Sequence, residues 1–457
     1  MRFDIDNYRK NGIAFPKTFH SIYSIDKSKY SQIEEDYQKN GGLTVDQTFD
    51  KLEMRTTTSY FSKVLAAQTD ALSYSDYVFP TYKFLMSDAL LDDWMAIIDP
   101  HSKWPKRDHS VHQPMTAYIV SQLLGCGDVS HGLKVNNRSL LDLCSDILIN
   151  DDNTQYLRDY FKSLYPLWNK ITWTDAIKKK TAIDIFYQAA VVSALFHDIG
   201  YPWQFANNIS KYLKVADYDC NNFKTRSVDI MLNAISNRLI AFPFHGYSVG
   251  SMLHPTDNWI NRLQDSLSKA FYGTHGFPGA LAFTHLTDEI RKFPQKLNLN
   301  DAIYQFIIDW AAVGILMHDM PGQYAKKGIV KNPQYKLHVD TDPLSCLIAM
   351  SDILEEYNRP NSAFTGGEDV KITYDSPCKA VEVDVVGDVL NIAYLYEDNI
   401  HRARNQMRRE EEIHEYFNEK TGFIDLTGIG INHVKCHTDI EKTTGLSAED
   451  SAEKSLI

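Results

Sequence analysis

Apolar residues recur at helical spacing in four well-separated stretches of the chain. Met115, Thr116 and Ile119 follow His112 at steps of three, four and seven, the stripe of an amphipathic helix. Gln188 to Phe196 is almost continuously apolar, and Gly200 and Pro202 mark where that helix stops. Phe306 to Met317 is a third such run, with Ala311 and Gly314 two turns and one turn before His318. The fourth stripe is Leu344 and Ile348, continued one turn later by Asp352, and Asp342 as N-cap with Pro343 at the first helical position starts it cleanly. Residues 96–365 therefore read as predominantly helical, with polar insertions over 127–180 and 205–270.

The period changes after Asn361 to Asp369, a stretch with Gly366 and Gly367 that reads as a linker. Val381 to Val385 alternates strictly, Gly387 and Asp388 supply a turn, and Val389 to Tyr396 forms the returning strand. An amphipathic helix follows from about Ile400 to Phe417, and Gly428 to Val434 reads as a last strand. The pattern divides the chain into a mixed, aromatic-rich segment (1–95), a helical domain (96–365), a small α+β unit (366–440) and a polar tail (441–457).

Each of the four helical stripes carries a polar ligand type where an apolar residue belongs. His197 and Asp198 close one apolar run, His318 closes another, His112 shares a stripe with Met115 and Ile119, and Asp352 extends Leu344 and Ile348. Burying a carboxylate among Val, Leu and Phe is costly unless a cation or good hydrogen bonds compensate it. Breaks of this kind in an otherwise consistent pattern mark functional sites.

The order His112, His197-Asp198, Asp352 resembles the H…HD…D signature of the HD metal-dependent phosphohydrolase superfamily. The strings around it, RDHSVHQ (107–113), ALFHDIGYP (194–202) and PLSCLIAMSDILEEYNRP (343–360), are similar to the first, second and last helices of bacterial HD-domain proteins. The resemblance spans roughly residues 95 to 360. It implies a mainly α fold, an HD-domain helical core with insertions, carrying the small C-terminal α+β domain. Tyr201 stands where the HD-GYP branch has Lys, which argues against a cyclic-di-GMP hydrolase of that type.

Two histidines and two carboxylates make a mixed N/O ligand set suited to Mn, Fe, Mg, Zn, Co or Ni, without the thiolates of a closed structural zinc site. His275 (Thr274-His-Gly-Phe-Pro) and His318 resemble the additional histidines of binuclear HD subgroups, with Asp198 as the bridge. His245, in a similar motif, competes with His275 for that place. The expected cofactor is one or two divalent ions. His109, three residues before His112, is a candidate general acid, and Asp198 the other catalytic residue. Arg107 and Arg359 are candidates for binding phosphate oxygens.

The 457-residue chain is 44% hydrophobic, enough for a large core, and its net charge of −12 disfavours a broad grip on duplex nucleic acid. The six cysteines are scattered without CxxC spacing and read as reduced thiols. No apolar run approaches the roughly 18 residues of a membrane span, and no leader pattern opens the chain, so a cytoplasmic enzyme is expected. The leading expectation is hydrolysis of a phosphoester in a nucleotide or related metabolite by metal-activated hydroxide. An HD-type di-iron oxygenase and a catalytically silent HD fold, used for ligand sensing or protein contact, are the alternatives. Homo-oligomerisation is left open.

Overall fold

The computed structural model describes residues 1–4, 6–7, 109–149, 175–198, 200, 275–276, 279–280, 283, 299–319, 337–340, 342–356, 361–363, 371–373, 377–418 and 422–441. Over these residues helix outweighs strand, 57% to 22%, which makes the structure mainly helical with a distinct sheet component. Arg107, Arg359, His245 and nearly all of residues 1–95 lie outside the described residues.

Four helices build the core: α1 (His109–Leu123), α3 (Asp175–Phe196), α4 (Leu299–Met317) and α5 (Pro343–Leu354), with a short α2 (Leu140–Ser145) beside them. From Met115 to Leu124, Ile185 to Phe196, Phe306 to Leu316 and Leu344 to Ser351, nearly every side chain is buried. Helices buried on nearly all sides belong in the interior of a bundle rather than on its surface. Accordingly α3 packs on α1, α4 and α5, and α5 also packs on α1 and α4. Trp310 wedges between Phe186 and Phe306, with ring centroids 5.5 and 5.9 Å away.

Two hydrogen bonds between buried polar groups cross from helix to helix. Tyr187 and Ser121 share a 2.8 Å hydrogen bond, and the Ser193 hydroxyl donates to the Ala311 carbonyl at 3.0 Å. Gly314 lies against this contact, where a Cβ would stand 2.7 Å from the Ser193 oxygen and 3.1 Å from Leu344. Asp342 accepts from the Ser345 amide, the cap its sequence position called for.

A four-stranded sheet in the order β1-β7-β8-β10 packs on the same core: β1 (Arg2–Asp4), β7 (Cys378–Val386), β8 (Val389–Tyr396) and β10 (His433–Ile440). In β7 the alternation is realised, Val381 and Val383 buried and Glu382 and Asp384 exposed. Gly387, with φ +63°, takes the positive angle that the first position of this two-residue hairpin turn requires. β10 runs parallel to β8, which needs a crossover, and α6 (Asn399–Phe417) provides it.

Four findings alter the sequence reading. The last strand begins at His433 rather than Gly428, because Thr427–Ile429 form a 3-10 turn and Gly430 turns the chain with φ +87°. Residues 2–4 complete the sheet against β7, and Phe3 meets Tyr118 of α1 edge-on. The start of the expected linker is paired with residues just past its end, β5 (Asn361–Ala363) running antiparallel to β6 (Lys371–Thr373). Glu441, assigned to the tail, is held by Arg2 and by the Tyr396 carbonyl. Two short strands, β4 (Leu337–His338) and β9 (Ile424–Asp425), pair in parallel and join the entry to α5 to the segment after α6, and β2 (Lys134–Val135) pairs antiparallel with β3 (Arg138–Ser139) just before α2.

Candidate metal centre

The four helical stripes deliver their polar residues to one buried place. His112 enters from α1, His197 and Asp198 from the turn just past α3, His318 from the turn just past α4, and Asp352 from the last turn of α5. His275 arrives on a separate segment whose approach depends on glycines. A Cβ on Gly200 would stand 1.8 Å from the His275 carbonyl oxygen, and one on Gly276 would meet the Ile315 carbonyl at 2.8 Å. Gly200 therefore does more than stop a helix: it admits the neighbouring backbone.

His112 and His197 each bring one ring nitrogen close to one oxygen of Asp198 and one of Asp352. The Nε2 of His112 lies 3.2 Å from that of His197, 3.4 Å from Asp198 Oδ2 and 2.9 Å from Asp352 Oδ1. The Nε2 of His197 is 3.4 and 3.7 Å from the same two oxygens. An ion about 2.1 Å from its ligands separates neighbouring donors by about 3.0 Å in octahedral and 3.4 Å in tetrahedral geometry. The five spacings, 2.9 to 3.7 Å, lie around those values.

A second group shares Asp198. Its other oxygen, Oδ1, lies 3.0 Å from His275 Nε2 and 3.9 Å from His318 Nε2, and those two nitrogens are 3.1 Å apart. The donor atoms of His112, His197 and Asp198 fall within 4.8 Å of one another, as do those of Asp198, His275 and His318. Every one of these residues is buried except Asp352, which is partly exposed.

The outer nitrogens show which way the rings are committed. His197 Nδ1 donates to the Ala194 carbonyl at 2.8 Å and His318 Nδ1 to the Ile315 carbonyl at 2.6 Å, the acceptor three residues back in both cases. His112 Nδ1 donates to Glu355 at 2.5 Å, and His275 Nδ1 faces Asp319 at 3.1 Å. All four partners accept only, which places the proton of His197 and of His318 on Nδ1 and turns their Nε2 inward, whereas His112 and His275 face carboxylates at both ring nitrogens, Asp352 and Asp198 lying at Nε2. Two inward lone pairs about 3 Å apart repel unless a cation or proton lies between them. These buried His and Asp groups can hold a metal ion.

The electrostatics fit this description. Burial pushes His112 down, but the carboxylates of Glu355, Asp352 and Asp198 outweigh it and lift the imidazole to about 9. Burial dominates at His197 and lowers its pKa despite Asp198. At His275 burial is overcome by Asp319 and Asp198, and the pKa rises.

Of the sequence-assigned residues, His112, His197, Asp198, His275, His318 and Asp352 meet at this centre. His109 begins α1, one turn before His112, and its side chain lies outside the described residues, as do Arg107 and Arg359. Two participants were missed. Glu355 lies three residues after Asp352 on the same stripe, and Asp319 makes His318-Asp319 a second copy of the His197-Asp198 pair; both signals are legible in hindsight. A further group, Glu397, Asp398 and His401, caps the start of α6, where Asp398 accepts from the His401 amide and faces its ring. Helix capping accounts for it.

Compared with protein-family models, curated proteins and solved structures, the chain matches none.

Proposed function

We propose that the protein is a cytoplasmic, metal-dependent phosphohydrolase that cleaves a phosphoester of a nucleotide or related phosphorylated metabolite, a reading that rests on an HD-type arrangement of the helical core. One observation carries it: the two oxygens of Asp198 face two separate pairs of imidazoles, each pair at ligand-to-ligand spacing. Carboxylate-bridged ion pairs about 3.5–4 Å apart are a recurrent means of phosphoester hydrolysis. In this reading His112, His197, Asp198 and Asp352 hold one divalent ion, and His275 and His318 with Asp198 hold a second. The donors are N and O alone, which suits Mn, Fe, Mg, Zn, Co or Ni.

Bound ions supply Lewis acidity toward a phosphoryl oxygen and lower the pKa of water toward about 7. The chain's own contribution is to fix the ligands. Glu355 and Asp319 hold two rings, and the Ala194 and Ile315 carbonyls hold the other two. Burial excludes bulk water from the anchored side of each ring. His109, three residues before His112 on α1, is assigned to protonate the leaving oxygen, and Arg107 and Arg359 to receive phosphate oxygens. The substrate is a small anion, consistent with a net charge of −12 that favours neither duplex nucleic acid nor an anionic membrane. Among the described residues no helix is long and apolar enough to cross a membrane.

Four imidazoles around a shared carboxylate also suit a pair of irons, which favours an HD-type oxygenase as the second reading. The two separate in one experiment. Metal content of the purified protein is measured, and phosphate release is screened over nucleotides with Mn, Mg, Co, Ni, Zn and Fe added in turn, with and without oxygen. Metal-dependent phosphate release in anaerobic buffer supports the hydrolase. Turnover that requires iron and dissolved oxygen overturns it, and a protein that binds no metal points to a catalytically silent fold.

A further inference from the structure

The end of α5 joins the centre to the sheet through two consecutive glutamates. Glu355 leaves the helix in an inverse γ-turn: its φ and ψ are −78° and 81°, and the Glu356 amide donates to the Leu354 carbonyl at 3.0 Å. This turn sends the two carboxylates to different partners. Glu355 holds His112 Nδ1 at 2.5 Å, while Glu356 meets Arg408 at 3.0 Å and the guanidinium of Arg409, both on α6.

Arg409 is fully buried, an uncommon and costly placement for a guanidinium. It is ion-paired to Glu356 and Glu412, and its Cζ lies 5.2 Å from the centre of the Tyr394 ring. Tyr394, on β8, in turn donates its hydroxyl to the Ile353 carbonyl at 3.2 Å, the residue directly after Asp352. Thus α6 and β8 grip α5 on both sides of Glu355, with a buried charge pair and a hydrogen bond to a carbonyl the helix leaves open at its end.

We infer that Arg409 is a positioning residue for the metal centre: acting through Glu356 and the γ-turn, it holds Glu355 against His112 and so sets the affinity of the ion bound by His112, His197, Asp198 and Asp352. The inference rests on the metal-centre reading above. It gives α6 and the sheet a role in the chemistry although neither contributes a ligand. Removing a carboxylate that holds a ligating imidazole typically weakens metal binding about 10–100-fold, and Arg409 is expected to act within the same range.

The test is a calorimetric titration of the full-length apoprotein with Co(II), read together with the visible absorption of the bound ion. Wild-type protein, Glu355→Gln, Arg409→Met, Glu356→Gln, Tyr394→Phe, Arg409→Lys and the double variant Glu355→Gln/Arg409→Met are compared. Arg409→Met should weaken one of the two binding steps about 10–100-fold, alter the Co(II) spectrum of that step as Glu355→Gln does, and leave the other step in place. The double variant should be no weaker than Glu355→Gln alone, since both act on one imidazole, and Arg409→Lys should restore part of the loss. If Arg409→Met does not fold, Glu356→Gln and Tyr394→Phe carry the same expectation. Additive losses in the double variant, equal weakening of both steps, or unaltered binding in the Arg409, Glu356 and Tyr394 variants would overturn the inference while leaving the metal centre standing. Wild-type protein that takes up no Co(II) would overturn the metal-centre reading itself, and this inference with it.

Discussion

Gly200 and His275 are in backbone contact, so close that a methyl group on Gly200 would lie 1.8 Å from the His275 carbonyl oxygen and 2.5 Å from the Gly279 amide nitrogen. The turn bearing His197 and Asp198 and the segment bearing His275 can share a carboxylate only because nothing projects between them. Gly200→Ala should therefore displace His275 from Asp198 while leaving His112, His197 and Asp352 together. Metal analysis of the variant should find at most one ion per chain, with the second lost. Full occupancy of two ions in Gly200→Ala would mean that this contact does not hold the second group in place.

Asp198 belongs to both groups, and its replacement should be more damaging than that of any other single ligand. Asp198→Ala is expected to lose both ions and all metal-dependent activity, whereas His318→Ala should retain the ion held by His112 and its partners. Elemental analysis of the two variants side by side decides the matter. An Asp198→Ala protein with its full metal complement would show the site assignment to be wrong.

General-acid assistance is typically worth roughly 10²–10⁴-fold. If His109 supplies it, His109→Ala should bind metal as the wild type does but lose rate mainly on substrates with poor leaving groups. An activated aryl phosphate, whose leaving group needs little protonation, should be affected far less. Equal losses on both substrate types would exclude the acid role.

Away from the centre, Asp142 sits between Arg138 and Lys179, at 2.6 and 2.7 Å. Burial raises its pKa, but the hydrogen bonds and charges of Lys179 and Arg138 outweigh this and lower it below the ordinary 3.8. A carboxyl whose folded pKa is depressed contributes stability above its unfolded pKa and loses it as pH falls through the folded value. Asp142→Asn should thus be less stable than wild type at neutral pH, by about 0.2–1 kcal/mol for so partly exposed a cluster. The difference should fade below about pH 4, where the wild-type carboxyl also becomes protonated. Denaturant melts at several pH values measure it, and a difference that grows in acid would contradict the assignment.

Trp310 fills the junction of α3 and α4 between Phe186 and Phe306 and is 1% exposed. Trp310→Ala should cost about 3–5 kcal/mol, the range for emptying a large aromatic site in a packed core. Because Trp310 lies two turns before His318, the loss should be accompanied by weaker metal binding. Unchanged thermal stability would show that the core closes over the gap.

Much of this protein was legible in the chain because periodicity reports the surroundings of a residue on its own helix or strand. His112, His197, Asp198, His318 and Asp352 betrayed themselves as polar residues in apolar stripes, and Val381 to Val385 showed its two faces by alternation. The sequence alone also sufficed to place the Asp342 cap, the Gly387 turn and the crossover helix. What it could not contain is distance between elements. That Asp198 turns one oxygen to each imidazole pair, that Glu355 and Asp319 anchor His112 and His275, and that residues 2–4 pair with β7 follow from how helices and strands dock. The division of labour between Glu355 and Glu356 depends on the dihedral angles of one residue at a helix end, to which the period of the preceding helix is blind. The start of the last strand was misplaced for a related reason. Ile429 and Ile431 are buried by tertiary packing just before the strand begins, and apolarity alone does not distinguish a residue buried in a turn from one buried in a ladder.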